Sequence, residues 1–412
     1  MRQIKILQIS KADSSGGGAS RVAEELTGLL RGAGHQAVHL ASYSGKPYDE
    51  HRRPLYGRFP EIARKIHGAT KIAGLPEIVP IELLSLHFSH RVLDYDLIHF
   101  HDLSSAISPF TLIALAAVKP VVWTIHDCSP FTGGCLYPMD CTRYKVGCGS
   151  CPQLGTWPLD TKIDLTRLLW RTKAALHKSG VVCITPSQWM ASQAMESGLL
   201  VRAPRYISNG IDTRLYQAHD KPAMREQLGL AKDRKVIVVS SGHLSDARKG
   251  VKYAIAALHA VKDLSPQVLL LGTMDDDIRQ AMVGLDYVAP GYINGPAALA
   301  RYYSAADLLL FSSLADNQPL TLLECLSTGT PVVGFATGGM PEIIPEDVCG
   351  LLVRPGHQMA LNAALRQALC SDKLARWAVA ARQRAEALYS HTVLFDAHLS
   401  LYADTLRLPR TT

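Results

Sequence analysis

Short β-branched and aliphatic runs recur along the chain, separated by longer stretches in which apolar residues return every three to four positions. The short runs read as buried strands and the longer stretches as amphipathic helices. Residues 4–9 lead through Gly16, Gly17 and Gly18 into a helical pattern that ends near Leu30, and residues 37–40 follow as a second strand. That order is a βαβ unit. Residues 96–100, 121–125 and 181–185 repeat it, each an apolar run of the kind covered on both faces of a parallel sheet.

A polar stretch at 217–234 interrupts the rhythm, and a second series begins at 236–240 and continues at 268–271, 287–289, 308–311 and 331–335. Each gap leaves room for a crossover helix. Helical patterns dominate from Gln358 onward. The chain therefore reads as an α/β protein of two Rossmann-like, doubly wound domains, residues 1–216 and 217–390. Residues 391–412 are expected to form a terminal helix that packs back on the first domain. A length of 412 residues suits two domains. A hydrophobic content of 47% against 19% charged residues is that of a folded globular chain.

Residues 51–90 break the pattern. Arg52, Arg53, Arg58, Arg64, Lys65 and Lys71 alternate with Leu55, Tyr56, Phe59 and Ile62, a mixture that suits either a solvated helix over the sheet edge or a face laid on an anionic membrane surface. The net charge of +7 favours phosphate-bearing ligands, whereas a nucleic-acid partner needs a denser basic patch. The amino terminus lacks the cleavage site of a signal peptide, and no apolar run reaches the ~18 residues of a membrane span. A cytoplasmic protein, peripheral at most to the inner face of a membrane, is expected.

Ligands of doubly wound sheets bind beyond the carboxyl ends of the strands, so the residues just after each strand carry the chemistry. After the first strand, Gly17 and Gly18 lie in a flexible loop that opens a helix. A plain strand-to-helix turn explains such a loop equally well. His126 and Asp127 follow the strand at 121–125. In the second half, Arg248, Lys249 and Gly250 place two cations ahead of a helix, a suitable trap for a diphosphate. The segment Asp316-Asn317-Gln318-Pro319-Leu320-Thr321, with Glu324 on the same stretch, carries two carboxylates suited to paired hydroxyls, and Gly338-Gly339 follow. Asp275-Asp276-Asp277 reads as a helix start, not a metal-binding acid cluster.

On these residues the chain resembles the family 4 retaining glycosyltransferases of GT-B fold. Their E-x7-E signature corresponds to Asp316 and Glu324, with the first acid shortened. A helix of small residues and Thr330-Pro331-Val332-Val333-Gly334 follow, and Asn209-Gly210-Ile211-Asp212 matches a further motif. The resemblance runs from the glycine loop to about Gly356. It implies two domains facing across a cleft and a nucleoside-diphosphate sugar as donor. It further implies a glycan or polyprenyl-linked acceptor in exopolysaccharide, capsule or O-antigen assembly, and catalysis without a metal or other cofactor. It gives the ribose to Glu324, sugar hydroxyls to Asp316 and the adjacent loop of Asn317, Gln318, Pro319, Leu320 and Thr321, and the diphosphate to Lys249. Gly242-His243 stand where the family carries an arginine, which leaves Arg248 as second cation. His126 reaches the donor sugar, so His126, Lys249 and Asp316 form the catalytic set. Gly17, Gly18, His126 and Asp127 lie on the acceptor side by the same resemblance. A nucleotide-sugar epimerase or phosphorylase on the same fold is the alternative.

Five of nine cysteines fall between Cys128 and Cys151. The Cys148-x2-Cys151 spacing has the bite of a metal knuckle, and Cys135 with Cys141 would complete a closed structural zinc site. An iron–sulfur cluster, a disulfide pair and buried thiols compete with that reading.

Overall fold

The computed structural model describes residues 3–104 and 106–407. The chain divides into two compact units, Met1–Ile207 with Phe395–Thr412, and Ser208–Leu394.

The first unit is built on seven strands: β1 (Lys5–Ala12), β2 (Gln36–Tyr43), β3 (Arg52–Pro54), β4 (Leu97–Phe100), β5 (Val121–Thr124), β6 (Val182–Thr185) and β7 (Arg205–Tyr206). They lie in the order β3-β2-β1-β4-β5-β6-β7, every pair parallel. The second unit holds β8 (Val236–His243), β9 (Gln267–Thr273), β10 (Asp286–Gly291), β11 (Leu308–Phe311), β12 (Val332–Phe335) and β13 (Gly350–Val353), again parallel, in the order β10-β9-β8-β11-β12-β13. In each sheet the order reverses once, between β1 and β4 and between β8 and β11, which is where doubly wound sheets open a crevice for ligands.

Burial on both faces explains the apolar runs. Ile6, Leu7 and Ile9 of β1 and Val236, Ile237 and Val238 of β8 are fully buried. Crossover helices complete the layers. Helix Gly18–Gly32 turns Val22, Ala23, Leu26 and Leu30 inward at helical spacing.

The structure corrects the boundary expected at residue 216, because Ser208 and everything after it as far as Leu394 belongs to the second unit. Ile211 donates its amide to the Tyr389 carbonyl (2.7 Å) and accepts from the His391 amide (3.0 Å), and Tyr216 is buried in that unit's core. The polar stretch at 217–234 is part of the second unit. Its helix Lys221–Leu228 is capped by Asp220, and Arg225 and Lys221 both pair with Asp307. The last helix, His391–Arg407, starts where expected, and from Phe395 it belongs to the first unit. Residues 408–412, assigned to it from sequence, lie outside the described residues.

Residues 51–90 form β3, helix Pro60–Ile72 and helix Glu82–Phe88. The mixed basic and apolar set splits here. Leu55 and Tyr56 are buried and Arg52 pairs with Glu24 and Asp49, whereas Arg58, Phe59, Ile62, Arg64 and Lys65 are exposed.

Candidate active site

In the second unit, the loops that leave β8 and β11 at the reversal point bring Arg248, Lys249 and Asp316 together. Asp246 caps the short turn Ala247–Lys249 by accepting from the Arg248 amide (2.9 Å). Gly250 then takes a left-handed conformation (φ 60°) so that helix Val251–Ala260 starts at once. A Cβ there would stand 2.2 Å from the Ser312 carbonyl oxygen, so the turn is pressed against the loop after β11. The Leu314 amide to the Arg248 carbonyl (2.8 Å) and Ser312 Oγ to the Lys249 carbonyl (3.2 Å) tie the two loops together.

The Asp316 carboxylate is buried and accepts from Lys249 Nζ (2.8 and 3.1 Å), Arg248 Nη1 (3.2 Å) and Ser313 Oγ (2.5 Å). Burial alone would raise its pKa, but the Lys249 and Arg248 charges and these hydrogen bonds outweigh that effect and hold it below the usual carboxylate range. Behind it, Gly338 (φ 58°) passes so close that a Cβ would stand 1.8 Å from the Asp316 carbonyl oxygen.

The rest of the acidic segment is held differently. Gln318 spends its amide on the chain at 208–209: Oε1 accepts from the Asn209 amide (2.6 Å) and Nε2 donates to Ser208 Oγ (2.8 Å). The Asn-Gly-Ile-Asp motif thereby anchors the loop. Among the described residues, no side chain caps helix Leu320–Ser327 at Pro319, which leaves the amides of Leu320 and Thr321 and the positive end of the helix dipole for a ligand. Glu324, on that helix and buried, accepts from the Tyr216 hydroxyl (3.0 Å). Asp275 caps helix Asp276–Ala281, as the sequence implied.

In the first unit, His126 follows β5, half-buried, with Nε2 3.1 Å from His101 Nδ1. Burial pushes its pKa down to about 4 against the pull of Asp102, so the ring is neutral at pH 7. Burial raises the pKa of Asp127, whose carboxylate accepts from the Ser129 amide (2.8 Å) and starts the turn Ser129–Phe131. Gly17 (φ 114°) leads into helix Gly18–Gly32. Asp13 beside it accepts from Ser15, Ser44 and the Lys46 amide.

Residues 234–371 match the family model described as glycosyl transferases group 1, and residues 16–215 match that of glycosyltransferase family 4. The chain is a family 4 glycosyltransferase. The putative colanic acid biosynthesis glycosyl transferase WcaC of Escherichia coli K12 is 28% identical over 370 residues, 85% of this chain and 81% of the relative. The sulfoquinovosyl transferase SQD2 of Arabidopsis thaliana is 26% identical over 342 residues, 79% of this chain and 59% of the relative. Among solved structures, the sucrose-phosphate synthase of Thermosynechococcus elongatus superposes with a TM-score of 0.72 at 20% identity, over 97% of this chain and 98% of that one. Anabaena Alr3699/HepE in complex with UDP gives 0.68 at 19%, over 97% and 100%. The glycosyltransferase thus has the GT-B fold.

Tyr216, Ser313, His101 and Gln8 of this glycosyltransferase escaped the sequence reading. Tyr216 fell in a segment taken for the end of the first domain, and the other three are polar residues in or beside strands that read as apolar. Cys135, Cys141, Cys148 and Cys151 line one small cavity as free thiols, and Cys148 Sγ accepts from the Gly133 amide (3.2 Å). Burial pushes Cys135 up to about 12 and raises Cys148 and Cys151. Among the described residues, no three His, Cys, Asp or Glu side chains stand ready around a metal position. No helix of the described residues is long and apolar enough to cross a membrane.

Proposed function

We propose that the enzyme moves a hexose-type sugar, with retention, from a nucleoside-diphosphate sugar to a glycan or polyprenyl-linked acceptor during polysaccharide assembly. The observation that carries this reading is the grouping of Lys249, Arg248 and Asp316 beside an uncapped helix start at the reversal point of the second sheet. The leaving group is a nucleoside diphosphate, so stabilising its growing negative charge is the main catalytic task, and two cations with helix amides suit it. Asp316 holds the two cations in place, and with Asn317 it faces the sugar hydroxyls. Glu324 takes the ribose, with Tyr216 orienting its carboxylate. Gln318 serves by fixing the loop. His126 offers a neutral imidazole to the transferred sugar, and Gly17 and Gly18 lie on the acceptor side. The WcaC name, with its colanic acid, and the HepE complexes with UDP and with UDP-glucose support the polymer and the donor class.

Release of nucleoside diphosphate from UDP-, GDP- and ADP-sugars, with and without Glu324→Ala, tests the reading in the presence of EDTA. Wild-type turnover that the substitution lowers by about tenfold or more supports it. Undiminished turnover in the variant would remove the ribose assignment.

Two subsidiary proposals concern the first unit. The exposed set of Arg58, Phe59, Ile62, Lys65 and Phe88 is a docking face for an anionic membrane surface. Co-sedimentation with phosphatidylglycerol vesicles should weaken in an Arg58→Gln, Lys65→Gln variant. The four cysteines that share a cavity would form a closed zinc site once deprotonated and drawn together around the ion, which would hold a loop otherwise free of long helices and strands. Metal analysis of purified protein decides: about one zinc per chain is expected, and none removes the idea.

A further inference from the structure

A run of hydrogen-bonded side chains crosses the first unit behind His126. It passes from His126 Nε2 to His101 Nδ1 (3.1 Å), from His101 Nε2 to Gln8 Oε1 (2.9 Å), and from Gln8 Nε2 to the Tyr402 hydroxyl (3.0 Å). The Tyr402 hydroxyl meets His99 Nδ1 (2.7 Å), and His99 Nε2 meets Thr124 Oγ1 (2.7 Å). Gln8, His99, His101, Thr124 and Tyr402 are all buried. Gln8 and His99 sit opposite each other in the pairing of β1 with β4, and the His99 and His101 rings are 4.3 Å apart. Polar groups withdrawn from water in this way are costly unless each has its partner, and here each link finds one.

The chain has a direction. Burial holds His99 and His101 well below the usual histidine range, so both are neutral, and a neutral imidazole has one donor and one acceptor nitrogen. Gln8 Oε1 only accepts, so His101 carries its proton on Nε2 and accepts at Nδ1. His126 Nε2–H then donates to His101, which leaves the lone pair of the neutral His126 ring on Nδ1. On the other side, Gln8 Nε2 donates to the Tyr402 oxygen, that hydroxyl meets His99 Nδ1, and His99 Nε2 meets Thr124 Oγ1. Turning the Gln8 amide over would reverse the sense of each link from Tyr402 to His126.

We propose that Gln8 and Tyr402 are positioning residues that fix the tautomer of His126, the Gln8 amide setting the direction and Tyr402 holding that amide in place. His126 then keeps its proton on Nε2 and its lone pair on Nδ1. The functional consequence rests on the reading of His126 as the residue that meets the transferred sugar; the tautomer itself does not. Both positioning residues lie far from His126 in sequence, one on the first strand and one on the last helix.

Long-range proton–nitrogen NMR of the ¹⁵N-histidine-labelled full chain reads the tautomer, with the His126 signals assigned by their loss in His126→Asn. The wild type is expected to show a single neutral form protonated on Nε2. Gln8→Leu and Tyr402→Phe are expected to give mixed Nε2 and Nδ1 forms. Gln8→Glu, which still offers His101 an acceptor, is expected to keep the single form and so separates direction from mere packing. Mixed tautomers in the wild type, or a single unchanged form in both Gln8→Leu and Tyr402→Phe, would overturn the proposal. Turnover of UDP-glucose, GDP-mannose and ADP-glucose is measured in parallel. A fall on the order of tenfold in Gln8→Leu, restored in Gln8→Glu, is expected. A tautomer that shifts while turnover does not would uphold the positioning and overturn the role given to His126.

Discussion

The loops after β8 and β11 gather two cations around a carboxylate, whereas those after β4 and β5 gather histidines without their charge. The two places are equivalent by topology, since both lie at the carboxyl ends of strands at or next to the reversal of a parallel sheet. Burial acts on both, with opposite results. Around Asp316 it is outweighed by Lys249 and Arg248, so charge persists and is concentrated. Around His126 and His101 nothing of comparable strength opposes it, so the rings lose their protons and become a directional hydrogen-bond chain. One scaffold thus keeps a charged cluster in one place and a chain of neutral rings in the other, and the difference lies in the few residues that follow each strand.

The sharpest way to break the comparison is to remove charge where it is said to matter. Lys249→Ala should lower turnover of the accepted sugar nucleotide by roughly 100-fold or more, as loss of a preorganised charge-stabilising group does, and Lys249→Arg should recover part of that loss. A steady-state assay decides, and a loss under threefold would place the phosphate elsewhere.

Backbone closeness comes next. Gly338→Ala must place a Cβ against the Asp316 carbonyl in a left-handed conformation, which should cost about 1–3 kcal/mol and loosen the acidic loop. Chemical denaturation measures it, and a neutral result would contradict the packing of the loop.

The two kinds of site should also respond differently to pH. Burial lowers His39, His126 and His177 from 6.5 to about 4, so the unfolded chain binds protons first and the first unit should lose stability as pH falls from 6.5 toward 4. Four of the five tryptophans lie in that unit, so tryptophan-detected melts follow it. A flat midpoint across that range would be the contrary result. Asp316 is depressed from 3.8, so its stabilising contribution is present above that value and fades only as pH falls below it. Asp316→Asn should therefore flatten the acid limb below pH 3.8 in melts of the second unit, a smaller effect in a narrower window.

Much of this was legible in the sequence because parallel strands covered on both faces must be apolar throughout, as residues 308–311 and 236–240 are. Arg52, Arg53 and Pro54 form an edge strand with no such run, so β3 went unread. The polar stretch at 217–234 read as a break because charge in sequence reads as solvent, whereas Arg225 and Asp307 form a part-buried ion pair, and the contacts that tie Ile211 and Tyr216 to the second unit are long-range. The places of Lys249 and Asp316 after two strands, and of Glu324 on the helix that follows, were legible from spacing. Gln8, His101 and Tyr402 were not, because one buried polar residue in an apolar stretch acquires meaning only when strands and the last helix bring several together. The detectable trace was polar Gln8, His39 and His99 at matching positions of three neighbouring strands.

The most direct test of the central claim needs no acceptor. Titration calorimetry of UDP, GDP and ADP against the wild-type chain and Lys249→Ala, in EDTA, should show binding of at least one diphosphate to the wild type, weakened at least about tenfold in the variant. Equal affinity in the two proteins, or no binding of any of the three to the wild type, would contradict a metal-independent diphosphate site at Arg248, Lys249 and Asp316.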